Sequence, residues 1–190
     1  MYRDLLRSAQ FFGLLLKIDK KAVETTRAAR CPCGGPLHVG DFERKPRGLL
    51  LQPDELPEGY RMRFDLCCGW CRKRTMPASV RFLGRKVYWA AAVVVATVIA
   101  HRSARDAMRL VQRELGVSSS TVACWRRWWR ALTGMAYWVQ ARGRLPVELD
   151  VEAIPASLLS EYAGHAGERM VRLLQWVQPF TARIAPEQAI

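Results

Sequence analysis

Five of the six cysteines in this 190-residue chain fall in two short groups, Cys31-Pro32-Cys33-Gly34-Gly35 and Cys67-Cys68-Gly69-Trp70-Cys71. Thiolates paired on two tight turns are the donor set of a structural metal site, where four sulfurs sit at tetrahedral corners about 2.3 Å from a zinc ion. The neighbouring glycines, Gly34, Gly35 and Gly69, let the backbone turn sharply enough to aim two sulfurs at one ion. The spacing predicts Cys31, Cys33, Cys68 and Cys71 as ligands of Zn2+. Two substitutions stay open: Cys67 for Cys68, and His38 for a cysteine of the first group. No glutamate accompanies the ligands as it does in zinc deaminases or proteases, so the expected ion is structural.

A second constellation lies downstream, where Ser119-Ser120-Thr121-Val122-Ala123-Cys124-Trp125-Arg126-Arg127-Trp128-Trp129-Arg130 reads as a helix with Ser118 as its N-cap. At 100° per residue, Val122, Trp125 and Trp129 share an inward arc, while Ser120, Ala123, Cys124, Arg127 and Arg130 gather opposite. Small side chains let a backbone approach the major groove, and arginine reaches guanine edges or phosphates. The candidate DNA contacts on this helix are Ser119, Ser120, Thr121, Ala123, Cys124, Arg126, Arg127 and Arg130. A preceding helix is expected over Ala104–Arg113, capped by Ser103, with Gly116 supplying a positive φ in the turn between them.

The charge lies where these readings need it. The chain holds 30 Lys and Arg against 17 Asp and Glu, a net charge of +13. Residues 61–144 carry 17 basic side chains and only three acidic ones, Asp65, Asp106 and Glu114. A charge serving only solubility would be spread along the chain; this concentration predicts a surface aimed at a polyanion. Arg72, Lys73, Arg74, Arg81, Arg85 and Lys86 are the candidate phosphate anchors. The apolar run Val87 to Ala100 rises about 21 Å as a helix, short of the roughly 30 Å hydrocarbon core of a membrane. It is therefore read as a buried helix, the first of three, and no membrane association is expected. With no export signal in view, the cytoplasm is expected, where clustered cysteines indicate metal rather than disulfides.

The elements that position these groups make an α+β protein. A helix is expected over 1–27, a zinc ribbon over 28–86, a trihelical domain with the helix-turn-helix over 87–144, and a helical tail over 145–190. Strands are expected at Leu37–Phe42, Tyr60–Leu66 and Thr75–Phe82, with Lys45–Gly59 as a loop insertion. The tail should hold helices at Ala156–Tyr162 and Glu168–Val177, ending before Pro179. Met170, Leu173, Leu174 and Val177 line one face of the second. That stripe, like Leu5, Leu6, Phe12, Leu15 and Leu16 near the N-terminus, either packs on its own domain or dimerises the protein.

Leu115-Gly116-Val117-Ser118 and the following Thr121-Val122 and Trp125 resemble the turn and recognition helix of bacterial helix-turn-helix proteins. Together with the ribbon, residues 28–130 resemble the DNA-binding front end of insertion-sequence transposases and their small accessory proteins. The resemblance implies sequence-specific binding of double-stranded DNA at element ends or an operator, by a homodimer or beside a separate transposase subunit. The chain departs from those transposases after Arg130. Glu148, Asp150, Glu152, Glu161, Glu168 and Glu187 occur there without the run of strands that would gather a two-metal site. His38, His101 and His165 have no nucleophile context, so no enzyme is expected. A transcriptional regulator, and an RNA-binding or protein-docking ribbon, are the alternatives.

Overall fold

The computed structural model describes residues 2–83, 88–101, 105–133 and 149–183. In chain order these form α1 (Tyr2–Leu5), α2 (Ala9–Ala28), β1 (Leu37–Glu43), a 3-10 turn (Pro53–Glu55), β2 (Met62–Cys68) and β3 (Arg74–Thr75). Then come α3 (Ala90–His101), α4 (Arg105–Leu115), α5 (Ser119–Thr133), α6 (Ala156–Glu161) and α7 (Ala166–Arg183). The architecture is α+β: one small antiparallel sheet in the order β1-β2-β3, and helices around a separate, larger apolar core.

Helix α2 starts where the Ser8 hydroxyl accepts the Phe11 N–H at 3.2 Å. It buries a single stripe, Phe11, Phe12, Leu15, Leu16, Asp19 and Val23. The first four join the main core, and Val23 reaches a second cluster with Cys31, Leu37, Leu66 and Cys68. One helix thus spans both cores. Helix α3 lies at the centre of the larger one: Ala90 through Ala96 are all essentially inaccessible, as the apolar run predicted. It packs against α4, α5, α6 and α7. Among the described residues no helix is long and apolar enough to cross a membrane.

Strands β1 and β2 pair with Leu37 opposite Cys68 and Glu43 opposite Met62. The third strand expected over Thr75–Phe82 is only two residues long. Pro77 has no N–H to give a ladder, and the backbone beyond it finds side-chain partners instead. Val80 donates to Asp19 Oδ1 (2.7 Å), Ser79 N–H to Thr181 Oγ1 (3.0 Å), and the Arg81 and Phe82 amides to Ser79 Oγ. The Pro77 and Ala78 carbonyls accept from Arg63 and Gln178. These bonds give much of the segment's backbone partners other than a strand ladder.

The tail also differs in one respect. Helix α7 does not stop before Pro179 but runs through it to Arg183, and Thr181 and Gln178 on its last turns hold the 78–79 backbone. Those tertiary bonds offset the intrahelical bond that proline cannot make. Met170, Leu173, Leu174 and Val177 are buried in the chain's own core, which settles their role as packing. Leu6, Phe12, Leu15 and Leu16 are buried there too, with Leu5 packed against them.

Candidate metal centre and helix-turn-helix surface

Two turns bring the cysteines together, each closed by its own backbone. In the first, Gly34 N–H donates to the Cys31 carbonyl (2.7 Å) and Cys31 N–H to the Gly35 carbonyl (3.1 Å). In the second, Cys68 N–H donates to Lys73 and Arg72 N–H returns to Cys68, with Arg72 at φ 61. The Gly69 N–H, donated to Pro36 at 2.9 Å, ties the turns to each other. Gly35 is needed for a further reason. A Cβ there would lie 2.7 Å from Cys68 Sγ, inside the sulfur's contact radius.

The result is four sulfurs, of Cys31, Cys33, Cys68 and Cys71, all within 4.8 Å of one another. Cys31 and Cys71, and Cys33 and Cys68, approach to 3.5 Å. A tetrahedron with 2.3 Å metal–sulfur bonds has edges of about 3.8 Å, so the cluster fits a metal ion. The two open alternatives are resolved by geometry. Cys67 turns its sulfur to the Cys68 and Arg72 carbonyls, and His38 lies on Gly69; neither joins the cluster. Backbone adjacency explains Cys67, since neighbouring strand residues point to opposite faces.

The thiols themselves are unequal. Burial pushes the Cys68 thiol up, but the backbone N–H groups of Cys71 and Trp70 and the thiols of Cys33 and Cys71 outweigh it, leaving the group at about 6. For Cys31 the Cys33 backbone N–H pulls downward, while burial and the three neighbouring thiols carry it to about 12. Sulfurs crowded this closely cannot all ionise without a cation between them, which is the electrostatic condition a metal relieves.

The second constellation is equally well defined. Helices α4 and α5 are joined by Gly116 at φ 63, buried Val117 and Ser118, whose hydroxyl accepts the Thr121 N–H at 3.2 Å. Val122, Trp125, Trp129 and Leu132 face the core, while Ser119, Ser120, Ala123, Cys124, Arg127 and Arg130 are exposed and Thr121 is half-buried. The three arginines differ in freedom. Arg126 turns back to donate to the Ala100 carbonyl, and Arg130 pairs with Glu152 at 2.9 Å. Arg126, half-buried, is tied onto α3 by that bond. Arg127 forms no ion pair or hydrogen bond with any described residue.

Among the expected phosphate anchors, Arg72 and Lys73 are exposed on the second cysteine turn, and Arg74 is exposed but paired with Asp65 at 2.7 Å. Arg81 requires correction. It is 1% exposed, its Nε donates to Asp19 at 2.7 Å, and its terminal nitrogens donate to the Tyr60 and Met62 carbonyls. The rings of Tyr60, Phe64 and Phe82 surround it at about 5 Å. No phosphate can reach it. Arg85 and Lys86 lie outside the described residues, as does Ser103.

The residue the sequence reading passed over is Asp19. Its signal was available: a carboxylate four residues from both Leu15 and Val23 interrupts the buried face of α2, and a charge there demands a partner. No family model, curated protein or solved structure matches this chain.

Proposed function

We propose that this chain is a cytoplasmic, sequence-specific binder of double-stranded DNA, of the kind that serves bacterial mobile elements beside insertion-sequence transposases. A zinc ion closes the four-cysteine turns, and α5 enters the major groove. Zinc, when bound, supplies the cross-link that a sheet this small needs in order to hold its shape. The observation that carries the reading is the exposed face of α5. Small residues Ser119, Ser120 and Ala123 are exposed on the same helix as Arg127, which has no partner among the described residues, within a segment of 17 basic and three acidic side chains.

The division of labour follows from which groups are free. Ser119, Ser120, Thr121, Ala123 and Cys124 let the α5 backbone approach, Arg127 reads a base edge, and Arg72 and Lys73 contribute charge towards phosphates. Binding rather than catalysis is the role, and the protein acts as a homodimer or together with a separate transposase subunit.

Selection of bound sites from a random duplex library, repeated with Arg127→Ala, tests this. The wild type should enrich one short motif, and the variant should relax one position by about 1–3 kcal/mol. No enriched motif, the same motif with undiminished stringency in the variant, or preferential competition by structured RNA would each sink the proposal.

A further inference from the structure

The metal-bearing turns carry a feature that duplex reading by α5 does not use. Trp70 is 67% exposed, the most exposed of the large apolar side chains among the described residues. An indole left in water forgoes a large burial gain, yet this one is held in place. Its backbone N–H donates to Cys68 Sγ at 3.4 Å. Beneath it are two glycines: a Cβ on Gly35 would come within 3.1 Å of Trp70 Cβ and Cδ2, and one on Gly34 within 3.6 Å of Cζ3. Beside it the His38 ring rests on Gly69, whose own Cβ would lie 2.9 Å from His38 Nε2. The turns thus present a fixed aromatic ledge.

The surroundings of the ledge are cationic. Segments 27–38 and 67–76 contain no Asp or Glu, and carry Arg27, Arg30, Arg72, Lys73 and Arg74. Arg74 is matched by Asp65, but the other four form no ion pair among the described residues. Four thiolates around a dication leave a formal charge of −2, so these four side chains keep the rim positive. An apolar protein groove would find few apolar neighbours here, whereas a polyanion with flat bases finds both of its complements.

We infer that these turns form a second nucleic-acid site, in which Trp70 stacks an unpaired base of single-stranded DNA while Arg30, Arg72 and Lys73 take the flanking phosphates. Stacking on an aromatic ring tolerates any base, because every base has a π face, and the phosphate contacts make such binding salt-dependent. The site shares Arg72 and Lys73 with the duplex reading, but its stacking element, Trp70, is independent of α5, so either reading can fail alone.

The test uses the zinc-loaded full chain and a fluorescein-labelled dT12 strand, followed by anisotropy across a salt series. Trp70→Ala should weaken dT12 binding about 5- to 150-fold, with Trp70→Phe close to wild type. Arg72→Ala should lower the salt slope by about 0.7. Arg127→Ala should leave dT12 affinity unchanged, whatever it does to duplex binding. Trp70→Leu, which keeps apolar bulk without a π face, guards against a variant that loses its zinc. The inference fails if zinc-loaded wild type does not bind dT12, or if the leucine variant binds it as tightly as wild type.

Discussion

Replacing Asp19 with asparagine removes one charge and almost no volume from the point where α2, the 79–82 segment and α7 meet. Asp19 and Arg81 are each 1% exposed, and the carboxylate accepts from Ser79 Oγ, the Val80 N–H and Arg81 Nε. Breaking a buried ion pair from one side costs about 3–5 kcal/mol, because the remaining charge stays desolvated and unpaired. Arg81 keeps the Tyr60 and Met62 carbonyls and three aromatic rings, which offset part of that cost. The lower end, about 3 kcal/mol, is therefore expected. With a urea slope of about 3 kcal/mol/M, the unfolding midpoint of Asp19→Asn should fall by about 1 M at unchanged slope. Exposed Lys20→Gln on the same helix should stay within about 0.5 kcal/mol of wild type. Zinc stoichiometry should not change, since each cysteine turn is closed by its own backbone bonds. A midpoint shift for Asp19→Asn no larger than that of Lys20→Gln would refute the assignment of this pair as the junction.

Ligand identity is separable by serine scanning: Cys68→Ser and Cys71→Ser should lose stoichiometric zinc, and Cys67→Ser should retain it, read by metal analysis of reduced protein. Gly35→Ala should weaken zinc binding in competition with a chelator, because the added carbon would stand 2.7 Å from Cys68 Sγ. Glu114 is held below the ordinary 4.5 by its bond to Arg113 and by Arg3 and Arg7. A lowered folded-state value stabilises above that range and loses its contribution as pH falls through it. Thermal unfolding of Glu114→Gln should accordingly show a flatter decline than wild type on the acid side, and parallel profiles would count against the cluster.

How much the sequence showed depended on whether local chemistry fixed the answer. Cysteine spacing and glycines marked the two turns, because sharp backbone geometry is a local demand. The period of α5 separated buried Val122, Trp125 and Trp129 from the exposed face, since 3.6 residues per turn is a property of the helix itself. Cys67 remained unresolved until strand β2 fixed which neighbour faced the cluster. The Thr75–Phe82 strand was misread because alternation looks the same whether the backbone finds a ladder or the side chains of Asp19, Ser79 and Thr181.

Arg81 marks the same boundary from the side of charge. In sequence it belongs to a basic stretch with Arg72, Lys73 and Arg74, and nothing local distinguishes it from them. Asp19, 62 residues earlier, decides its place. A charge prefers water unless a partner waits inside, and only the packing of α2 against the 79–82 segment brings that partner within reach. Residue types and short periods thus named the four cysteines that cluster and the exposed face of α5. Which arginines face solvent was settled by contacts between residues far apart in the chain.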